Sequence, residues 1–132
     1  MIARSAHFLF EKKVQYKDLA RAFPEIFKKF LEQTGQMPEE EEYARMLVKT
    51  NIKDLEANRK PEGYNRQGRV RLIFPISKDG VIRFYIYRSS KSEEIGQLAT
   101  IVSKILNQRK LKHKLEWDKM VLFNLKDRKK KD

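Results

Sequence analysis

Residues 69–88 read RVRLIFPISKDGVIRFYIYR, two runs rich in β-branched and aromatic residues, alternating with period two around Asp79-Gly80. That pattern predicts a β-hairpin. A two-residue Asp79-Gly80 loop would set Phe74 across from Tyr85 and mix the two faces. A three-residue loop, Lys78-Asp79-Gly80, pairs Ser77 with Val81, Phe74 with Phe84 and Leu72 with Ile86. The second register keeps the apolar residues together, and a one-residue slip would invert every side chain. Gly80 then occupies the left-handed position of the turn.

One hairpin face therefore carries Val70, Leu72, Phe74, Ile76, Ile82, Phe84 and Ile86, a core face. The other carries Arg69, Arg71, Ile73, Arg83, Tyr85 and Tyr87. Arginines interleaved with tyrosines on a flat sheet suit base stacking and phosphate neutralisation. The same residues also serve β-propensity and cross-strand pairing on a solvated face, so the rest of the chain has to decide.

The charge distribution favours a polyanion. Of a formal net charge of +12, residues 1–59 supply little, with 11 Lys/Arg and 10 Asp/Glu, while residues 60–132 hold 19 and 8. Such asymmetry points to nucleic acid more than to solubility. A second basic cluster follows at Arg109, Lys110, Lys112, His113 and Lys114. RNA is expected over DNA, on the ribosome or another ribonucleoprotein. No membrane partner is expected, because no helix sets a lysine-rich face opposite a Trp/Leu face. The chain has no cysteine, which removes disulfides, thiol chemistry and thiolate zinc sites. No apolar run approaches ~20 residues and the N-terminal one is too short for a signal peptide, so a soluble, cytoplasmic protein is expected.

Working outward, residues 6–14 read as a first strand with Phe8 and Phe10 inward. The apolar spacing of Leu19, Phe23, Ile26, Phe27, Phe30 and Leu31 predicts a helix, split by Pro24 into a short turn over 17–22 and a main helix over 24–34, stopped at Gly35. Pro38 and four glutamates open a second helix running to about Asn58, with a break near Asn51. Consecutive glutamates fan around a helix and do not converge on a metal. The loop 60–68 is either a mobile basic flap or a plain connection. A third helix starts at 89–93, with Ser90 and Glu93 as a capping box and Ser92 as the competing cap, and buries Ile95, Leu98, Ala99, Val102, Ile105 and Leu106. Residues 115–125 return to strand character, as one bulged strand or as a second hairpin of 112–117 with 120–125. The last seven residues, 126–132, read as a disordered basic arm after a single domain over 1–125.

The order strand, helices, strand, strand, helix, strand predicts an α+β fold, a ferredoxin-like βαββαβ sandwich with an extra helix before the hairpin. Its central pair would be the first strand and 81–88, with Arg83, Tyr85 and Tyr87 mid-sheet. In outline this resembles an RNA-recognition motif. The third strand of that family reads basic-Gly-aromatic-small-aromatic, and Gly80-Val81-Ile82-Arg83-Phe84-Tyr85 departs from it, so no family is assigned.

Catalytic signatures are missing. His7 and His113 have no metal-ligand partner at helical or loop spacing, and there is no glycine-rich phosphate loop or nucleophile elbow. Glu116 and Asp118 share a strand face and suit pairing with lysines better than Mg²⁺. The expectation is a binding protein, not an enzyme, without a cofactor. The competing expectations are a structural or regulatory subunit of a protein or nucleoprotein assembly, and a DNA-binding accessory protein of viral or mobile-element type.

Overall fold

The structure, a computed structural model, describes residues 2–65 and 68–119. Strand β1 is Ala3–Phe10, and a 3-10 turn at Tyr16–Leu19 leads into helix α1, Phe23–Gln33. Helix α2 is Glu41–Glu56, and β2, Val70–Ile73, faces β3, Arg83–Ser92. Helix α3, Glu93–Gln108, is followed by β4, His113–Trp117. The fold is α+β: a four-stranded sheet in the order β2-β3-β1-β4, each neighbouring pair antiparallel. The helices lie on one side, with α3 against β1 and β3, α1 beside α3, and α2 against α1 and the 3-10 turn.

The hairpin register is the expected one, with Leu72 opposite Ile86 and Ile73 opposite Tyr85. Its inward face joins β1 and the helices in one core, where Phe8, Phe23, Phe27, Phe30, Phe84, Leu72, Ile86, Ile95 and Leu98 are buried. Phe8 stacks on Phe84 with centroids 4.9 Å apart, and Phe74 joins them at 5.3 Å from Phe84. Burying each such ring contributes roughly 1.5–3 kcal/mol.

Near its turn the hairpin departs from expectation. The ladder stops at Ile73, and Ile76, assigned to the core, is 80% exposed. Pro75 has no N–H to continue the ladder, so the chain peels away after Phe74. Ser77 then meets Val81 through its side chain, Oγ donating to the Val81 carbonyl at 2.8 Å. The Val81 N–H donates to Asp79 Oδ1 at 3.0 Å, and Gly80 has φ +77°, as the three-residue loop requires.

Other boundaries also shift. β1 begins at Ala3 and ends at Phe10, because the segment expected to extend it, 11–14, turns away, with Val14 N–H donating to the Glu11 carbonyl. α2 begins three residues after Pro38. It has no break at Asn51, whose buried amide is spent on the backbone of Gly63. Ser92, not Ser90, caps α3, its Oγ accepting from the Glu94 N–H at 3.0 Å, because β3 runs unbroken to that residue. α1 ends as expected: Gly35 has φ +67° and the Gln36 N–H donates to the Leu31 carbonyl.

The loop after α2 is tied down at 61–64. Pro61 and Gly63 are buried, and Tyr64 exchanges two backbone hydrogen bonds with Leu72 on the outer side of β2. This part is a connection rather than a flap. The strand expected over 120–125 and the arm 126–132 lie outside the described residues. Among the described residues no helix is long and apolar enough to cross a membrane.

Candidate functional site

Strand alternation assigns the sheet face away from the helices. β3 contributes Arg83, Tyr85 and Tyr87; β1 contributes Ser5, His7 and Leu9; β2 contributes Arg71 and Ile73; β4 contributes Lys114 and Glu116. The pairings arrange these side chains in rows. Arg71, Tyr87 and Ser5 form one row, Ile73, Tyr85, His7 and Glu116 the next, and Arg83, Leu9 and Lys114 the third. Arg83, Tyr85 and Tyr87 thus stand mid-sheet and half-buried.

His7 belongs to this constellation, although only its lack of metal partners drew attention in the sequence. Its imidazole stacks on Tyr85, centroids 4.8 Å apart and planes 23° apart, and Nε2 lies 2.9 Å from Ser5 Oγ. His7 is 6% exposed, and burial holds its pKa down at about 4 against the opposing pull of Glu116 and Asp118. The ring is therefore neutral at neutral pH. Burial likewise raises the Tyr85 hydroxyl, which stays protonated. The signal in the sequence was its parity, opposite to that of the inward Phe8, which puts it on the face of Tyr85.

The charges are unequally committed. Arg83 Nη2 pairs with Asp79 at 2.5 Å, while its buried Nε has no hydrogen-bond partner. Asp79 is held at about 2, first by the Val81 N–H and then by Arg83. Arg71 has no carboxylate partner among the described residues, so its charge is available. Lys114 bridges to Glu116 at 3.4 Å, and Glu116 also takes Lys119 at 3.3 Å. Asp118 lies beyond β4, its Oδ1 accepting from the Arg4 and Ser5 N–H groups at 2.8 and 3.1 Å. Glu116 and Asp118 are thus engaged locally, and among the described residues no group of three acids or histidines is placed to hold a metal.

The remaining candidates lie elsewhere. Arg69 leaves the face and clasps the helical layer, forking onto Glu94 of α3 while donating to the Thr34 carbonyl at 2.7 Å. Arg88 meets the same carboxylate at 3.0 Å, and the Arg69 hydrogen bond is the main cause holding Glu94 below the usual carboxylate range. His113 faces the helices, with Nδ1 2.9 Å from the Leu111 carbonyl and Nε2 2.7 Å from Ser103 Oγ. Both ring nitrogens are thus engaged within the molecule. Lys112 is exposed just before β4. Arg109 and Lys110 line a cleft of about 700 Å³ beyond the end of α3.

The sheet face thus offers two tyrosine rings, a buried histidine stacked beside one of them, and the cation of Arg71, which has no carboxylate partner among the described residues. It suits planar groups and their phosphates. No protein-family profile, no curated protein and no solved structure matches the chain.

Proposed function

We propose that the chain is a small basic nucleic-acid-binding protein. It takes single-stranded RNA, free or within a ribonucleoprotein such as the ribosome, on the sheet face of Arg71, Arg83, Tyr85 and Tyr87. The observation carrying this reading is the cross-strand row in which Tyr87 stands between Arg71 and Ser5, next to the Tyr85–His7 stack. A ring braced by a stacked cross-strand neighbour presents its other face without first having to be ordered. We also read the sandwich as ferredoxin-like βαββαβ with α2 inserted, from its strand order and antiparallel pairing, and its place of action as the cytoplasm.

The test is RNA binding at two salt concentrations beside thermal melts. Tyr85→Ala and Tyr87→Ala should each weaken single-strand binding by ~1–3 kcal/mol. Arg71→Ala should flatten the log–log salt slope by about 0.7. Folded variants that bind as the parent does would refute the proposal.

A second reading, a subunit of a protein assembly, draws on Tyr43 and Met46 of α2, which are 48% and 53% exposed. Binding insensitive to salt and to both tyrosines would favour it.

A further inference from the structure

The cleft beyond α3 is built from two distant stretches of chain. Lys13, Val14, Asp18 and Arg21 come from the β1–α1 connection, and Gln108, Arg109, Lys110 and Leu111 from the end of α3. Four cations meet a single carboxylate there. That carboxylate is partly spent, since Asp18 Oδ2 accepts from the Gln15 N–H at 2.8 Å. Among the described residues Lys13 pairs with the exposed Glu11, at 3.3 Å, and Arg109 with Glu25, at 4.0 Å. Arg21 and Lys110 have no acid partner among the described residues. The negative end of the α3 dipole accounts for Arg109 and Lys110, but not for Lys13 and Arg21 arriving from the other wall.

A second observation bears on the same place. The Leu111 N–H donates to the Leu106 carbonyl at 2.9 Å, closing α3 with a left-handed residue, and that residue is Lys110 at φ +60°. Glycine or asparagine normally fills this position, because a lysine Cβ is strained there. At the end of α1 the corresponding residue is Gly35, and at the end of α2 it is Asn58. Retaining a strained lysine on the wall of a cationic cleft is the pattern expected where the side chain serves a ligand.

We propose that this cleft is a phosphomonoester site, separate from the sheet face. Arg21 and Arg109 supply planar forks for phosphate oxygens, Lys13 and Lys110 supply point charges, and Val14 and Leu111 give the attached group an apolar wall. A terminal phosphate, with three free oxygens and close to two charges, uses cations from both walls; a chain diester offers two oxygens and one charge. The source is either a free nucleotide or the phosphorylated end of a strand.

The test is calorimetric titration of the full chain with AMP and adenosine, and with 5′-phosphorylated and 5′-hydroxyl oligonucleotides of one sequence. AMP should bind and adenosine should not, and the phosphorylated strand should bind more tightly than its hydroxyl twin. With Tyr85→Ala and Tyr87→Ala removing the sheet-face contribution, an affinity for that strand well above that for AMP identifies a strand end as the source; equal affinities identify the nucleotide. Arg21→Ala should weaken binding about tenfold, the loss of one charge-assisted contact. Lys110→Gly should do the same while raising the melting temperature, a pairing that a purely structural lysine would not produce. Tyr85→Ala should preserve the preference for phosphate, which separates this site from the sheet face. Equal binding of the phosphorylated and unphosphorylated forms, or unchanged affinity in both cleft variants, would overturn the proposal.

Discussion

The side chain of Asn51 and the backbone of Gly63 pair through two hydrogen bonds. Gly63 N–H donates to Oδ1 at 2.7 Å, and Nδ2 donates to the Gly63 carbonyl at 3.2 Å. Nδ2 also reaches the Leu47 carbonyl at 2.8 Å, so the amide is well satisfied inside the protein. Asn51→Ala would orphan a buried N–H and C=O at once. It should cost about 2–3 kcal/mol, read as a lower denaturation midpoint with an unchanged slope.

Two glycines in the left-handed region should respond differently to alanine. At Gly80, φ +77°, an added Cβ meets nothing within 4 Å, so Gly80→Ala carries backbone strain alone, ~1 kcal/mol. At Gly63, φ +72°, the Cβ would lie 2.4 Å from the Leu72 carbonyl oxygen. Gly63→Ala must break either the Tyr64–Leu72 exchange or the Asn51 pair, and should cost roughly 3 kcal/mol or more. Equilibrium unfolding of the two variants side by side checks the ordering.

Acid should weaken the fold through His7. The folded value, about 4, lies below the ordinary 6.5, so the unfolded chain binds the proton more readily. The stability linked to His7 is complete above 6.5 and is lost as the pH falls toward 4, on the order of 2 kcal/mol. Asp79 acts in a lower window, between 3.8 and about 2. The groups facing His7 are Tyr85, Arg83, Glu116, Asp118 and Lys119. His7→Gln retains a partner for Ser5 without titrating, and should flatten the melting temperature between pH 6.5 and 4.

Asp79 restrains Arg83. Asp79→Asn removes a negative charge beside the sheet face and frees the guanidinium, and should tighten single-stranded RNA binding a few-fold at low salt. The same change weakens the acceptor for the Val81 N–H, so the hairpin should lose stability, read as a lower melting temperature. Opposite movement of affinity and stability in one variant is the expected result.

The fold was legible where alternation and burial agree. Leu72, Phe74, Phe84 and Ile86 announced the register, and the inward Phe8 gave the parity of β1. Ile76 misled because it continues the pattern while Pro75 ends the ladder, and a backbone donor outranks one apolar side chain. Arg69 and His113 misled for another reason. Composition does not show what a side chain meets in the fold: Glu94 engages Arg69, and Ser103 engages His113. Lys13 and Arg21 stand outside the basic half, and only the fold carries them to Arg109 and Lys110.

The outer side of β2 has a consequence for self-association. A strand at the rim of a sheet ordinarily presents free N–H and C=O groups that recruit another chain. Here Leu72 is occupied by Tyr64, at 2.8 and 3.0 Å. Val70 is occupied by the Gln36 amide, which donates to its carbonyl at 3.0 Å and accepts from its N–H at 3.3 Å. The two outward-facing backbone positions of this short strand are thus already taken from within the molecule, one by main chain and one by a side chain imitating it. The sheet is sealed on that flank against a second copy adding a strand, and a peptide seeking to extend it there would first have to displace both.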